Sequence, residues 1–180
     1  MDTVEGKKGG SVLLTLHFIS SSFMLAFLRD RNTAQSVQDI FESLYSLLGK
    51  EQFQRLFPVL LGDNGSEFSN PQAIEYAPDS TQRTRVYYCD PAAPYQKGAL
   101  ENNHSLIRRV LPKGTSFNQL EQDDVTLMMN HINSYAREKL ANKTPYDALR
   151  FFHGQDVLDK LGAKPIPPNE VTLRPNLLKK

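Results

Sequence analysis

Two apolar runs near the start of the chain, residues 11–19 and 23–28, stand on either side of Ser20, Ser21 and Ser22. Both are short and rich in strand-favouring side chains, and a polar turn of that length joins antiparallel strands. Gly9 and Gly10 precede the first run and mark another turn, which makes residues 1–5 the remnant of an earlier strand. The chain therefore opens as a three-stranded meander.

A helix is expected next. Thr33 is placed as its N-cap, and Val37, Ile40, Phe41, Leu44, Leu47 and Leu48 recur at helical spacing until Gly49. Residues 58–62 form a brief apolar run bounded by Pro and Gly, consistent with a buried strand, and lead into the turn Asp63-Asn-Gly65. Residues 84–88 read as a fifth strand, 90–94 as a proline-rich loop, and 98–111 as a helix stopped by Pro112. Beyond Gly114 the chain turns mainly helical. Residues 124–140 are amphipathic, with Met128 and Met129 as core packing, and Thr144-Pro145 starts another helix with proline in its first turn. The prolines at 165, 167, 168 and 175 imply an extended tail. The order strand, strand, strand, helix, strand is that of an α/β ribonuclease-H-like mixed five-stranded sheet flanked by helices, here with a mainly helical C-terminal extension. Residues 1–115 would be the core, 116–163 a helical part of the same domain, and 164–180 the tail.

Composition narrows the classes. At 39% hydrophobic and 23% charged, the chain has the make-up of a globular domain. No apolar run reaches the roughly 18 residues that span a membrane, and no apolar signal segment opens the chain, so a cytoplasmic location is expected. Cys89 is the only cysteine and reads as a small buried residue. The net charge of +1 conceals an uneven spread: residues 81–115 carry Arg83, Arg85, Lys97, Arg108, Arg109 and Lys113 against two acids, a local balance of +4. That segment is the place for phosphate contacts.

Three carboxylates fall where such a sheet would gather them: Asp2 on the first strand, Asp63 directly after the fourth, and Glu101 on the helix after the fifth. Magnesium takes hard oxygen ligands and keeps several waters, so two or three carboxylates suffice.

The residues around them carry a resemblance. Gly62-Asp-Asn-Gly-Ser-Glu-Phe68 resembles the second-aspartate motif of retroviral integrases and bacterial insertion-sequence transposases, and Pro94-Tyr-Gln-Lys-Gly-Ala-Leu-Glu-Asn-Asn103 is similar to the segment bearing their third acid. Asp2-Thr-Val-Glu-Gly6 looks like the first-aspartate motif of the insertion-sequence-thirty branch. Pro112-Lys-Gly-Thr115 and the region from Asn133 to Lys143-Thr-Pro145 match that branch too. The likeness covers residues 2–152. It implies a transposase catalytic core in which Asp2, Asp63 and Glu101 hold two Mg2+ or Mn2+ ions. The reaction implied is hydrolysis at a transposon end, followed by attack of the freed 3′ hydroxyl on target DNA. Arg108, seven residues beyond Glu101, is placed as a DNA contact with Lys97, Arg109 and Lys113. DNA and further copies of the chain, as a homodimer or larger homo-oligomer, are the implied partners, with the nucleoid as the working location. Glu67 is assigned to the following loop or a basic partner, and His104 to a bystander's place.

Two departures qualify the match. Between Asp63 and Glu101 lie 37 residues, a little more than is usual for the group, with the excess assigned to residues 77–83. No helix-turn-helix segment for end recognition precedes Asp2, so an excised core or truncated frame is expected, with Asp2 close to a terminus that frays. The competing functions are a nuclease using the same carboxylates, and an inactive fragment that only dimerises or binds DNA nonspecifically.

Overall fold

Period-two alternation decides which way each N-terminal strand faces. The structure, a computed structural model, describes residues 1–90 and 98–178, and of Ala99 and Glu101 the backbone alone. Strands β1 (Asp2–Glu5), β2 (Val12–His17) and β3 (Met24–Arg29) pair antiparallel as the expected meander, with Asp2 opposite Thr15 and Thr15 opposite Ala26. Val4, Leu13, Met24 and Ala26 point to one face, into a core shared with helices α4 (Gly98–Val110) and α5 (Gln122–Asn133). Met1, Leu14, Leu16 and Leu25 point to the other, against α1 (Ala34–Leu48) and α2 (Lys50–Leu56). The result is a sheet between two helical layers.

Thr33 caps α1 as expected: its hydroxyl accepts from Ser36 N, and the Ser36 side chain accepts from Thr33 N. Gly49, at φ 76°, ends α1 and begins α2, a short helix with no signal in the hydrophobic spacing. Strand β4 (Leu60–Gly62) follows, then α3 (Pro71–Glu75), and β5 (Val86–Tyr88) pairs parallel to β4. The ladders thus divide into a three-stranded and a two-stranded sheet rather than one continuous sheet of five. They meet at Met1, whose ammonium donates to Leu61 O at 2.6 Å.

The segment 77–83 is a tight turn with Ser80 at φ 62°. At its end Arg83, expected among the phosphate-facing cations, is instead buried. Its guanidinium donates to Ile74 O, Ala73 O and Glu42, and lies over the rings of Tyr45 and Phe53.

The expected helix 124–140 stops at Asn133, and α5 serves an edge. Helix α5 runs along the unpaired side of β3, where two of its amides stand in for a fourth strand. Gln122 accepts from Leu28 N and donates to Ala26 O, while Asn133 accepts from Met24 N (3.0 Å) and donates to Met24 O (2.9 Å). A free strand edge invites foreign pairing, and these amides close it. Helices α6 (Pro145–His153) and α7 (Gln155–Lys160) then pack on the α1 side, and the tail returns Leu173, Leu177 and Leu178 to the α4–α5 core.

Replacing Asn133 with Leu should strand the buried N–H and C=O of Met24, at a cost of about 3 kcal/mol. Urea denaturation of the variant would measure that loss, and light scattering would show association through the exposed edge.

Candidate active site

Met1 does more than join the sheets. In a parallel ladder, a residue whose N–H reaches the carbonyl of residue 61 stands abreast of residue 62, the relation that β4 and β5 follow when Leu60 N donates to Arg85 O. Met1 is therefore abreast of Gly62, and a Cβ on Gly62 would lie 3.0 Å from the Met1 Cε. The residue after Met1 is Asp2, and the residue after Gly62 is Asp63. Side chains that neighbour each other in a sheet share a face, and Asp2 shares the face of Val4, the one beneath α4.

Each aspartate is held by its own backbone. Asp2 Oδ1 accepts from Thr3 N at 2.8 Å, and Asp63 Oδ1 accepts from Gly65 N at 3.1 Å. Gly65 has no room for a side chain: a Cβ there would stand 3.0 Å from Asp63 Oδ1 and 2.6 Å from Glu67 Oε2. Glu67 is buried, and its charge acts on buried Arg29, in keeping with a loop-holding role. Arg29 in turn donates to Thr3 Oγ1 beside Asp2.

Helix α4 brings His104, expected as a bystander, close to Asp2. His104 Nδ1 lies 3.8 Å from Asp2 Oδ2, and its Nε2 lies 2.8 Å from Thr15 Oγ1. Thr15, fully buried, also donates its hydroxyl to Asp2 O at 3.0 Å. The next residue back, Asn103, places Nδ2 2.7 Å from His17 Nε2 and accepts from Arg137. Asn103 donates through that amide, so His17 must present a lone pair. Burial, reinforced by Lys139 and the terminal ammonium, lowers its pKa to about 4.

The backbone of Glu101 lies in the first turn of α4, one turn before His104. Arg108 is tied elsewhere: its Nη2 donates to Glu5 O at 2.7 Å, at the end of β1 away from Asp2, and burial lowers its pKa. Arg109 and Lys113 are exposed, and Lys97 lies outside the described residues. Cys89 is only half-buried, at the end of β5. No helix among the described residues is long and apolar enough to cross a membrane.

Among the described residues no three His, Cys, Asp or Glu side chains close into a ready ion site. The donors present still suit a hard divalent cation, since Asp2 and Asp63 carry carboxylate oxygens.

The neutral state of His17 has a pH signature. Its folded pKa lies below the unfolded value of 6.5, so its contribution to stability is complete above pH 6.5 and is lost as pH falls towards 4. Chemical denaturation across that interval should show roughly 2 kcal/mol less acid sensitivity in His17→Gln, whose amide still accepts from Asn103.

No protein-family model matches the chain. ORF3 of Spiroplasma virus SpV1-R8A2 B, which carries the name of an integrase, is 32% identical over 76% of this chain and 40% of its own length. The transposase InsI for insertion sequence element IS30A of Escherichia coli K12 is 30% identical over 82% of this chain and 36% of its own. The transposase for insertion sequence element IS4351 of Bacteroides fragilis is 24% identical over 83% of this chain and 43% of its own. The chain thus spans about two fifths of the length of the relatives it matches. Over that span it is similar to insertion-sequence transposases of the IS30 type.

Proposed function

We propose that this chain is the catalytic core of a DNA transposase, with a ribonuclease-H-like sheet and Asp2, Asp63 and Glu101 as its acidic triad. The observation that carries the reading is the bond from the Met1 ammonium to Leu61 O, on which we read Asp2 and Asp63 as neighbours on the face that α4 covers. On this reading the β1–β4 adjacency makes the two ladders parts of one five-stranded sheet. Glu101, from the first turn of α4, completes the carboxylate set. A pair of Mg2+ or Mn2+ ions, when bound, supplies positive charge to the attacking and leaving oxygens of an in-line displacement at phosphorus.

The chain's own residues hold and orient. Thr3 N and Gly65 N fix one oxygen of each aspartate. The reaction proposed is hydrolysis of a phosphodiester at a transposon end, which leaves a 3′ hydroxyl. That hydroxyl then attacks a target phosphodiester, forming one P–O bond and releasing one 3′ oxygen. DNA is the substrate, and two or more copies of the protein act together on paired ends.

Arg109 and Lys113, exposed beyond the site, are proposed as phosphate contacts, with Lys97 before the helix. Arg108 serves in the same way only by giving up Glu5 O, so its substitution loosens β1 as well. Each of Arg109→Ala and Lys113→Ala should weaken DNA binding on all sequences alike. Each should also reduce the slope of log K against log salt by about 0.9, as fluorescence anisotropy would show.

Calorimetric titration with Mn2+ tests the triad. Binding by the parent chain that weakens in both Asp63→Asn and Glu101→Gln supports the reading. Joining of labelled donor ends to a target duplex would separate strand transfer from simple nuclease activity.

A further inference from the structure

Resting on the triad just proposed, we infer that His104 is an additional ligand of the divalent-metal site, pairing its Nδ1 with Asp2 Oδ2. Hydrogen-bond bookkeeping fixes the ring. The Thr15 hydroxyl has one proton, and it goes to Asp2 O at 3.0 Å. At 2.8 Å from His104 Nε2, the same oxygen is therefore an acceptor, and Nε2 carries the hydrogen. In the neutral imidazole, Nδ1 then presents its lone pair toward Asp2.

Asp2 is turned to meet it. Oδ1 accepts from Thr3 N, and Oδ2 is the oxygen that stands 3.8 Å from Nδ1. Ligands of one ion at about 2.1 Å each lie at most about 4.2 Å apart, so this spacing suits a shared ion. A ligating histidine ordinarily donates its other ring N–H to an oxygen that fixes tautomer and orientation. Here that oxygen belongs to Thr15, buried and bonded to the backbone of the very residue that supplies the carboxylate. The set is two elements wide: β1 gives the oxygen, α4 the nitrogen, and Glu101 lies one turn back on the same helix.

A nitrogen donor changes which metal is preferred. Imidazole suits the later divalent ions better than Mg2+, which favours oxygen throughout. The site should thus discriminate toward Mn2+ more strongly than three carboxylates alone would.

Pulsed electron paramagnetic resonance of the Mn2+-loaded chain tests this directly, because an imidazole nitrogen on manganese gives a 14N coupling. We expect that coupling in the parent and in His17→Gln, and its loss in His104→Gln. We also expect Mn2+ affinity in His104→Gln to fall about tenfold, with Mg2+ affinity changed less. Thr15→Val, which unlocks the tautomer while keeping the ring, should weaken Mn2+ binding by a smaller factor. Circular dichroism confirms that each variant is folded. Mn2+ binding that weakens in Asp63→Asn, without a 14N coupling in the parent, overturns the histidine ligand and leaves the triad standing. No Mn2+ binding by the folded parent overturns both.

Discussion

The facing of one four-residue strand governs everything proposed for this chain. In β1 the side chains of Asp2 and Val4 lie on the α4 side, and Met1 and Thr3 lie on the α1 side. A slip of one residue would turn Asp2 under α1 and expose Val4. Several contacts oppose that slip. Val4 is buried, Thr3 accepts from Arg29, and Met1 packs on Gly62. Gly6, just past the strand, passes so close to Thr115 that a Cβ would stand 2.2 Å from its carbonyl oxygen. The acidic face is thus set by packing that has nothing acidic about it.

The sequence disclosed those parts of the fold that local chemistry writes. Glycines and serines between apolar runs mark the meander, Thr33 and Gly49 bound α1, and the turn at Asp63-Asn-Gly65 follows β4. It hid what depends on residues far apart in the chain. Thr15 and His104 are 89 residues apart, and neither carries a motif that announces the other. Four scattered histidines look alike in a sequence; the partners Thr15 and Asn103 are what bring His104 and His17 beside β1 and β2. The helices α2, α3 and α7 are too short for periodicity to register, and the bonds that Asn133 makes to Met24 at the end of α5 leave no mark in the apolar spacing.

Charge counting misled for a similar reason. Arg83 belongs by sequence to the most basic stretch, yet it is enclosed by α1 and α3, and paired with Glu42. Arg29 is likewise interior, and Arg137 is turned inward onto Asn103. A guanidinium serves as well for tying carbonyls together inside a small domain as for meeting phosphate outside it. Which of the two an arginine does is decided by its neighbours in space.

The amides that seal β3 have a consequence for how the chain is made. Met24 waits for Asn133, 109 residues later, before its backbone is satisfied. At about 5–20 residues per second on the ribosome, the open strand edge would persist for about 5–20 s after it is synthesised. For most of that interval the meander has its hydrophobic runs but neither a complete α4 nor α5 to cover them. Nascent chains on neighbouring ribosomes, rather than finished proteins, are therefore where mispairing of this sheet would begin.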